Sequence, residues 1–371
     1  MRVCYALAYR DPRYVRSQSL RAALARMPDV EVIPAVNSTR NCWRYVEMLW
    51  RLLRARRAYD PHVYVLGFRG HEIAWLVRAL TRGRPLVVDA MMSPYAALVE
   101  EGKAGPVGAM LARLWRPIEK HAMDCSDLVL TDTPLQAQDL ARRFGIAPER
   151  ILVLPVGASE PATPVTTQPA SALTEPLNVL FYGSFLPLHG VSVIVHAAGL
   201  VPDLPIHFRF IGGNPKQVRA LHAACARQGV TAYTHTRWVP LPELIEREIP
   251  SADLCLGGPF GGTPQARRVV TGKTSQCLAL GRPTVVGQIA ADYGFIDREN
   301  CLLVPQADPC ALAEALRWAH ANREQLSGIG AAGLLLYAQR LSVDVIAQNL
   351  APALHNLGKR SQRAGAQEDR Q

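Results

Sequence analysis

Three cations, Arg267, Arg268 and Lys273, fall inside the stretch 260–286, which reads FGGTPQARRVVTGKTSQCLALGRPTVV. A short apolar run at 252–256 precedes it and another closes it at 283–286. Both read as buried strands, and a helical segment spans about 273–280 between them. Backbone amides in a Gly-rich loop, clustered cations and a helix N-terminus together make an anion site. In an α/β protein such loops sit at the carboxyl ends of parallel strands, where ligands bind. The expected ligand is the phosphates and ribose of a nucleotide-sugar; a solvated basic loop is the competing reading.

Two further groups are candidates for chemistry. An apolar run at 63–66 opens into Gly67-Phe68-Arg69-Gly70-His71-Glu72, and a run at 85–88 leads directly into Asp89. Each places a titratable side chain just past a strand end, facing a ligand crevice. A structural role is the alternative for both.

The elements that must hold these residues alternate. Strand-like runs at 3–8, 30–34, 63–66, 85–88, 127–131 and 151–154 are separated by helical patterns, including 17–26, 41–57, 111–123 and 135–144. The pattern at 41–57 carries Trp43, Val46, Leu49, Trp50 and Leu53 at three- and four-residue spacing, flanked by Arg44, Arg51, Arg54, Arg56 and Arg57. Such a helix packs on a sheet by its apolar stripe or lies on an anionic membrane surface, and the sheet is the expectation. Residues 158–176, crowded with Pro, Thr, Ser and Ala, read as a linker. A second alternating series follows, with strands at 177–182, 206–211, 230–240, 252–256, 283–286 and 301–304. The helix at 308–321 starts on Asp308 with Pro309 at its first position, and a final helix covers 342–357. The expected organisation is therefore α/β. An N-terminal Rossmann-like domain (1–157), a linker (158–176), a second Rossmann-like domain facing the first across a cleft (177–357) and a disordered polar tail (358–371) make up the chain. Gly328-Ile-Gly-Ala-Ala-Gly333 matches G-x-G-x-x-G, but it follows a helix, so it reads as a small-residue helix or turn.

Composition narrows the partners. Residues 1–84 hold sixteen basic residues against six acidic ones, so the whole formal excess of +10 falls there. That asymmetry suits an anionic partner or reflects an Arg-rich background. The eight cysteines include no C-x-x-C pair and read as reduced and mostly buried, in a cytoplasmic protein. The run at 3–8 is too short for a signal-peptide core, and no window is apolar enough to span a membrane.

Four blocks, taken in order, carry a resemblance. LPVGA (154–158), FYGSFLPLHGV (181–191), FIGG (210–213) and KTSQCLALGRPTV (273–285) with NCLLVPQADPCAL (300–312) are similar to the blocks of glycosyltransferase family 4, of GT-B architecture. The resemblance covers much of 151–320; the first half matches in layout. It implies a retaining transferase that moves a sugar from a nucleoside-diphosphate sugar to an acceptor hydroxyl, in bacterial glycan, glycolipid or glycoconjugate biosynthesis. Donor contacts would fall on Gly183, Ser184, His189, Gly190, Gly212, Trp238, Val239, Gly261, Thr263, Arg268, Lys273 and Gln276, and catalysis on Arg268 and Lys273 with His71 and Asp89 from the other domain. The family's E-x7-E pair falls on Arg268 and Gln276, and its donor-loop Arg and Lys on Ser184 and His189. No D-x-D occurs, so no metal or other cofactor is expected, and fixed cations take the charge of the leaving diphosphate. The acceptor would be a glycan, a lipid-linked sugar or a small molecule, with peripheral contact at the inner face of an anionic membrane and no nucleic acid. A 2-epimerase-like enzyme of the same architecture and a non-catalytic nucleotide-sugar-binding homologue are the alternatives.

Overall fold

A computed structural model of the chain describes residues 1–100, 105–158 and 175–368. It divides into two units, Met1–Gly157 with Val343–Gln371, and Ala158–Ser342.

The first unit is built on six parallel strands: β1 (Arg2–Leu7), β2 (Glu31–Val36), β3 (Val63–Leu66), β4 (Leu86–Asp89), β5 (Leu128–Thr131) and β6 (Ile151–Val153), in the order β2-β1-β3-β4-β5-β6. The central strands VYVL and LVVD are fully buried and lack polar alternation, the pattern of strands covered on both faces. One face carries Cys4, Ala6, Tyr64 and Leu66, packed against Met48, Leu52 and Ala55 of the helix Trp43–Tyr59. That helix docks by a face rotated from the expected stripe, so Trp43, Val46 and Trp50 are more than half exposed. Residues 48, 52 and 55 share one side at helical spacing, and their small or flexible side chains fit the sheet more closely than two indoles would.

The opposite face carries Val3, Tyr5, Leu7 and Val65 under Leu20 and Leu24 of the helix Val15–Ala25. It is also covered by the last helix, Val343–Glu368, through Val343, Ile346, Leu350, Leu354 and Leu357. Two expectations change here. Residues 343–357 belong to the first unit rather than the second, and 358–368 continue as helix instead of a disordered tail. The apolar stripe fixes that a helix must be buried, and the half-covered sheet fixes where. The linker at 159–174 and the final residues 369–371 lie outside the described residues.

The second unit repeats the plan with β7 (Leu177–Gly183), β8 (Ile206–Gly212), β9 (Tyr233–Thr236), β10 (Leu254–Gly258), β11 (Thr284–Gly287) and β12 (Leu302–Val304), all parallel in the order β12-β11-β10-β7-β8-β9. The chain builds outward from β7 to β9, then returns to start again beside β7 with β10. The switch in strand order therefore falls between β7 and β10, the position at which sheets of this kind bind ligands. The stretch 328–333 lies inside the helix Arg323–Arg340, where Gly330 is pressed on the Gly281 carbonyl and Gly333 on Leu278. Its glycines serve close packing.

Candidate functional site

The loops after β7 and β10 are locked together through their backbones. Gly261 donates to the Leu188 carbonyl at 3.0 Å. Gly190, at φ 68°, lies so close to the other loop that a Cβ would sit 2.5 Å from the Phe260 carbonyl carbon. Beside them Gly212, at φ 107°, turns the chain leaving β8 so tightly that its Cβ would run into the Gly183 carbonyl oxygen. Gly213 donates to that same oxygen at 3.1 Å.

The helix Gly272–Ala279 starts at this crossing. Thr271 caps it, its hydroxyl accepting from the Thr274 amide at 3.3 Å and donating to the Gly257 carbonyl at 2.7 Å. The Thr274 hydroxyl donates to the Gly258 carbonyl at 3.1 Å. The helix N-terminus, with its unfilled amides and partial positive charge, is thus tied to the end of β10.

Lys273 occupies the first turn and is only 7% exposed. Its Nζ lies 5.6 Å above the Phe181 ring. A Cβ at Gly183 would sit 3.6 Å from this Nζ and 3.4 Å from His189 Cε1, so the three residues meet at one point. His189 is held there by the Leu186 amide, which donates to Nδ1 at 3.3 Å. Among the described residues Lys273 has no carboxylate partner, and burial lowers its ammonium to about 7. A buried ammonium without a counter-charge is costly to fold.

Gln276, one turn further on, is nearly buried. Its Oε1 accepts from the Tyr182 hydroxyl at 2.9 Å. The Gln276 carbonyl is therefore held by Tyr182, and the amide group is what this expected donor contact has left for a ligand. Ser184 is half-buried beside Gly183. Thr263 caps the turn Ala266–Arg268, accepting from the Ala266 amide at 3.1 Å, and Arg268 closes that turn half-buried. Trp238 and Val239 lie beyond β9, two strands from β7; Trp238 is 61% exposed and Val239 packs near Leu244 and Ile245. Thus Gly183, His189, Gly190, Gly212, Gly261 and Lys273 come together; Thr263 and Arg268 lie further along the same loop after β10, and Trp238 with Val239 on the loop after β9. Tyr182 and Thr271 were not anticipated. The T-x-x-T spacing of 271–274 is a readable cap signal, but nothing local marks Tyr182.

In the first unit the two candidates part company. Asp89 is fully buried and paired with Arg16, whose Nε lies 3.1 Å from Oδ2 and Nη2 3.1 Å from Oδ1. Arg16 also donates to the Leu154 and Pro155 carbonyls at 2.7 and 3.0 Å. Asp89 is thus part of a fully buried ion pair tying β4 to the helix Val15–Ala25 and the end of β6. A strand-end carboxylate is equally well placed to bind an incoming helix, and a buried Arg decides the outcome.

His71 sits in a single 3-10 turn, His71–Ile73, and is 2% exposed. Neither ring nitrogen has a partner among the described residues, and burial together with Arg69 lowers its pKa to about 3. It borders a cavity of about 380 Å³ with Glu72, Trp75, Pro117, Ile118 and His121. A neutral imidazole here offers one donor and one acceptor.

Comparison with known proteins decides the lineage. Residues 2–157 match the model of the glycosyl transferase 4-like domain, and residues 176–322 match that of the glycosyl transferases group 1. The chain belongs to the group 1, family 4-like glycosyltransferases. It is 27% identical over 213 residues to a D-inositol 3-phosphate glycosyltransferase of Xylanimonas cellulosilytica, a match covering 53% of this chain and about half, 49%, of that relative. The fold is similar to Anabaena HepE crystallised with UDP and glucose (TM-score 0.68, 14% identity, 96% of this chain and 100% of that one). It is similar also to the sucrose-phosphate synthase of Thermosynechococcus elongatus (TM-score 0.69, 15% identity, 96% and 99%). The family fold thus brings two Rossmann-like units, with the buried lysine at the switch point of the second.

Proposed function

We propose that the protein is a retaining glycosyltransferase that moves a glycosyl group from a nucleoside-diphosphate sugar to an acceptor hydroxyl in bacterial glycan, glycolipid or glycoconjugate synthesis. The observation that carries this reading is Lys273, buried and with no carboxylate partner among the described residues, at the N-terminus of a capped helix beside the loops of β7 and β10. Cleaving the sugar–phosphate bond leaves negative charge on the diphosphate. Lys273, the helix amides and Arg268 supply fixed positive charge where that develops, with no need for a metal ion. The relative's name, D-inositol 3-phosphate glycosyltransferase, and the UDP and glucose in the HepE crystals support a nucleotide-sugar donor and a hydroxyl acceptor. On the acceptor side, the cavity at His71 brings a neutral imidazole, Glu72, His121 and the Trp75 indole together, a combination suited to a sugar or polyol. Exposed Trp43, Val46 and Trp50, with Arg54 4.7 Å above the Trp50 ring, support peripheral contact with an anionic membrane at its cytoplasmic face.

The test is diphosphate release from a panel of UDP-, GDP-, ADP- and dTDP-sugars, with the anomeric configuration of the product read by NMR. Turnover of one donor with retention in wild type, and its loss in Lys273→Met, is the expected result. Tight nucleotide-sugar binding without turnover would point instead to a non-catalytic homologue, and inversion would overturn the retaining assignment.

A further inference from the structure

The first unit holds a second, unrelated concentration of charge. An open hollow of about 450 Å³ lies where Pro85 and Asp127 lead into β4 and β5. This is the amino end of the sheet, opposite the end at which ligands of such folds bind. Four arginines line it: Arg78, Arg82, Arg84 and Arg360.

Two of them form a fixed wall. Arg78 donates to the Cys125 and Arg84 carbonyls, each at 2.8 Å, and to Asp127 Oδ2 at 2.7 Å. Arg84 donates to Ser361 Oγ at 3.0 Å and to Asp60 Oδ2 at 2.6 Å. Those two carboxylates are therefore consumed. Arg82 and Arg360 have exposed side chains that neither pair nor hydrogen-bond with any described residue. Four guanidinium charges face two carboxylates, which leaves a local excess of two positive charges. The surroundings add to it: after burial itself, the charges of Arg2, Arg84 and the N-terminal ammonium hold His62 below its usual value.

We infer that this hollow is a binding site for a multiply charged phosphate group, gripped by Arg82 and Arg360 across the preformed Arg78–Arg84 wall. Arginine suits this ligand because its planar fork presents paired N–H donors to phosphate oxygens. Arg360 and Ser361 belong to the last helix, so an anion here would fasten that helix to the turn 81–85. The shared chemistry has two sources, a soluble phosphorylated compound or a phospholipid headgroup. The site is independent of the donor site at Lys273.

The experiment uses the full chain carrying Lys273→Met, so that pyrophosphate cannot report on the donor site. Calorimetric titration with inorganic pyrophosphate is compared with the same chain carrying Arg82→Ala and Arg360→Ala, and with a charge-matched control carrying Arg227→Ala and Arg340→Ala, both exposed and remote from the hollow in sequence. Since neither Arg82 nor Arg360 bonds to the fold through its side chain, the first pair leaves thermal unfolding unchanged. Binding at least tenfold weaker in the first pair, and unaltered in the control, supports the site. Equal affinity in all three chains, or equal loss in both pairs, overturns it. Co-sedimentation with vesicles of equimolar phosphatidylcholine and phosphatidic acid, whose headgroup is a phosphomonoester, then separates the sources. Sedimentation lost with the Arg82/Arg360 pair and competed by pyrophosphate assigns a headgroup, whereas sedimentation unaffected by the pair assigns a soluble phosphate compound.

Discussion

Replacing Lys273 by Met should stabilise the ligand-free protein and at the same time destroy its activity. The methionine keeps the length and apolar stem of the side chain and removes the ammonium. Burial lowers that ammonium from 10.5 to about 7. At ~1.4 kcal/mol per pH unit, this costs the empty fold on the order of 4 kcal/mol at neutral pH. Between those two values the unfolded chain holds a proton on this lysine that the folded chain lacks, so wild-type stability rises with pH across that window. The variant lacks this rise. Thermal unfolding followed from about pH 6 to about pH 10 should therefore show the variant several degrees more stable near neutrality, with the two curves converging at high pH. Donor turnover should fall by roughly 100- to 1000-fold, the usual loss on removing one preorganised charge donor. A variant no more stable than wild type at neutral pH would refute the claim that Lys273 is held unpaired against its own solvation. A variant that keeps turnover within tenfold of wild type would refute its role on the diphosphate.

Four further outcomes follow from the same geometry. Binding of the cognate nucleoside diphosphate should take up protons near pH 8, because an anion raises a lysine that titrates near 7 in the empty site; calorimetry in buffers of different ionisation enthalpy reads this, and proton release would contradict it. Gly212→Ala should weaken nucleotide binding sharply and cost more than ~2 kcal/mol of stability, since it strains a positive φ and collides with the Gly183 carbonyl; a neutral effect would show that the loops are not interlocked. Arg16→Met should destabilise the fold by about 3–5 kcal/mol, with the double change Arg16→Met/Asp89→Leu recovering part of it, as expected when a buried charge is left alone and then removed. If Asp89→Leu in that double variant instead abolished turnover in a folded protein, Asp89 would return to the catalytic list. Ending the chain at residue 342 should expose Val3, Leu7 and Leu24 and make the protein aggregate, and a soluble, nucleotide-binding truncation with a cooperatively folded first unit would show that the last helix is dispensable.

Much of the fold is written in local pattern. The runs at 63–66, 85–88 and 177–182 are short, apolar and β-branched, and each is followed by a turn and a helical period, so the alternation of the elements is readable before any contact is known. The stretch proposed to hold phosphates was recognisable for a similar reason, because its Gly loop, cation and helix start lie close together in the chain. Contact partners were not. Asp89 at the end of β4 and Lys273 at the start of a helix are both titratable groups next to strand ends, yet the first meets Arg16 from seventy-three residues away and the second meets no carboxylate among the described residues. The stripe of Trp43, Val46 and Trp50 satisfied helical periodicity as well as Met48, Leu52 and Ala55 did, and only the shape of the sheet chose between them.

The sequence alone determined the two α/β series, the family they belong to and the place of the Gly loop and helix start at 260–280, because each depends on residues close together in the chain. The tertiary structure decided which charges are neutralised, which face of the helix Trp43–Tyr59 is left to solvent, and that the last helix completes the first unit. Those outcomes rest on packing between distant segments, where burial removes water as a partner and whichever group lies within hydrogen-bond reach takes its place.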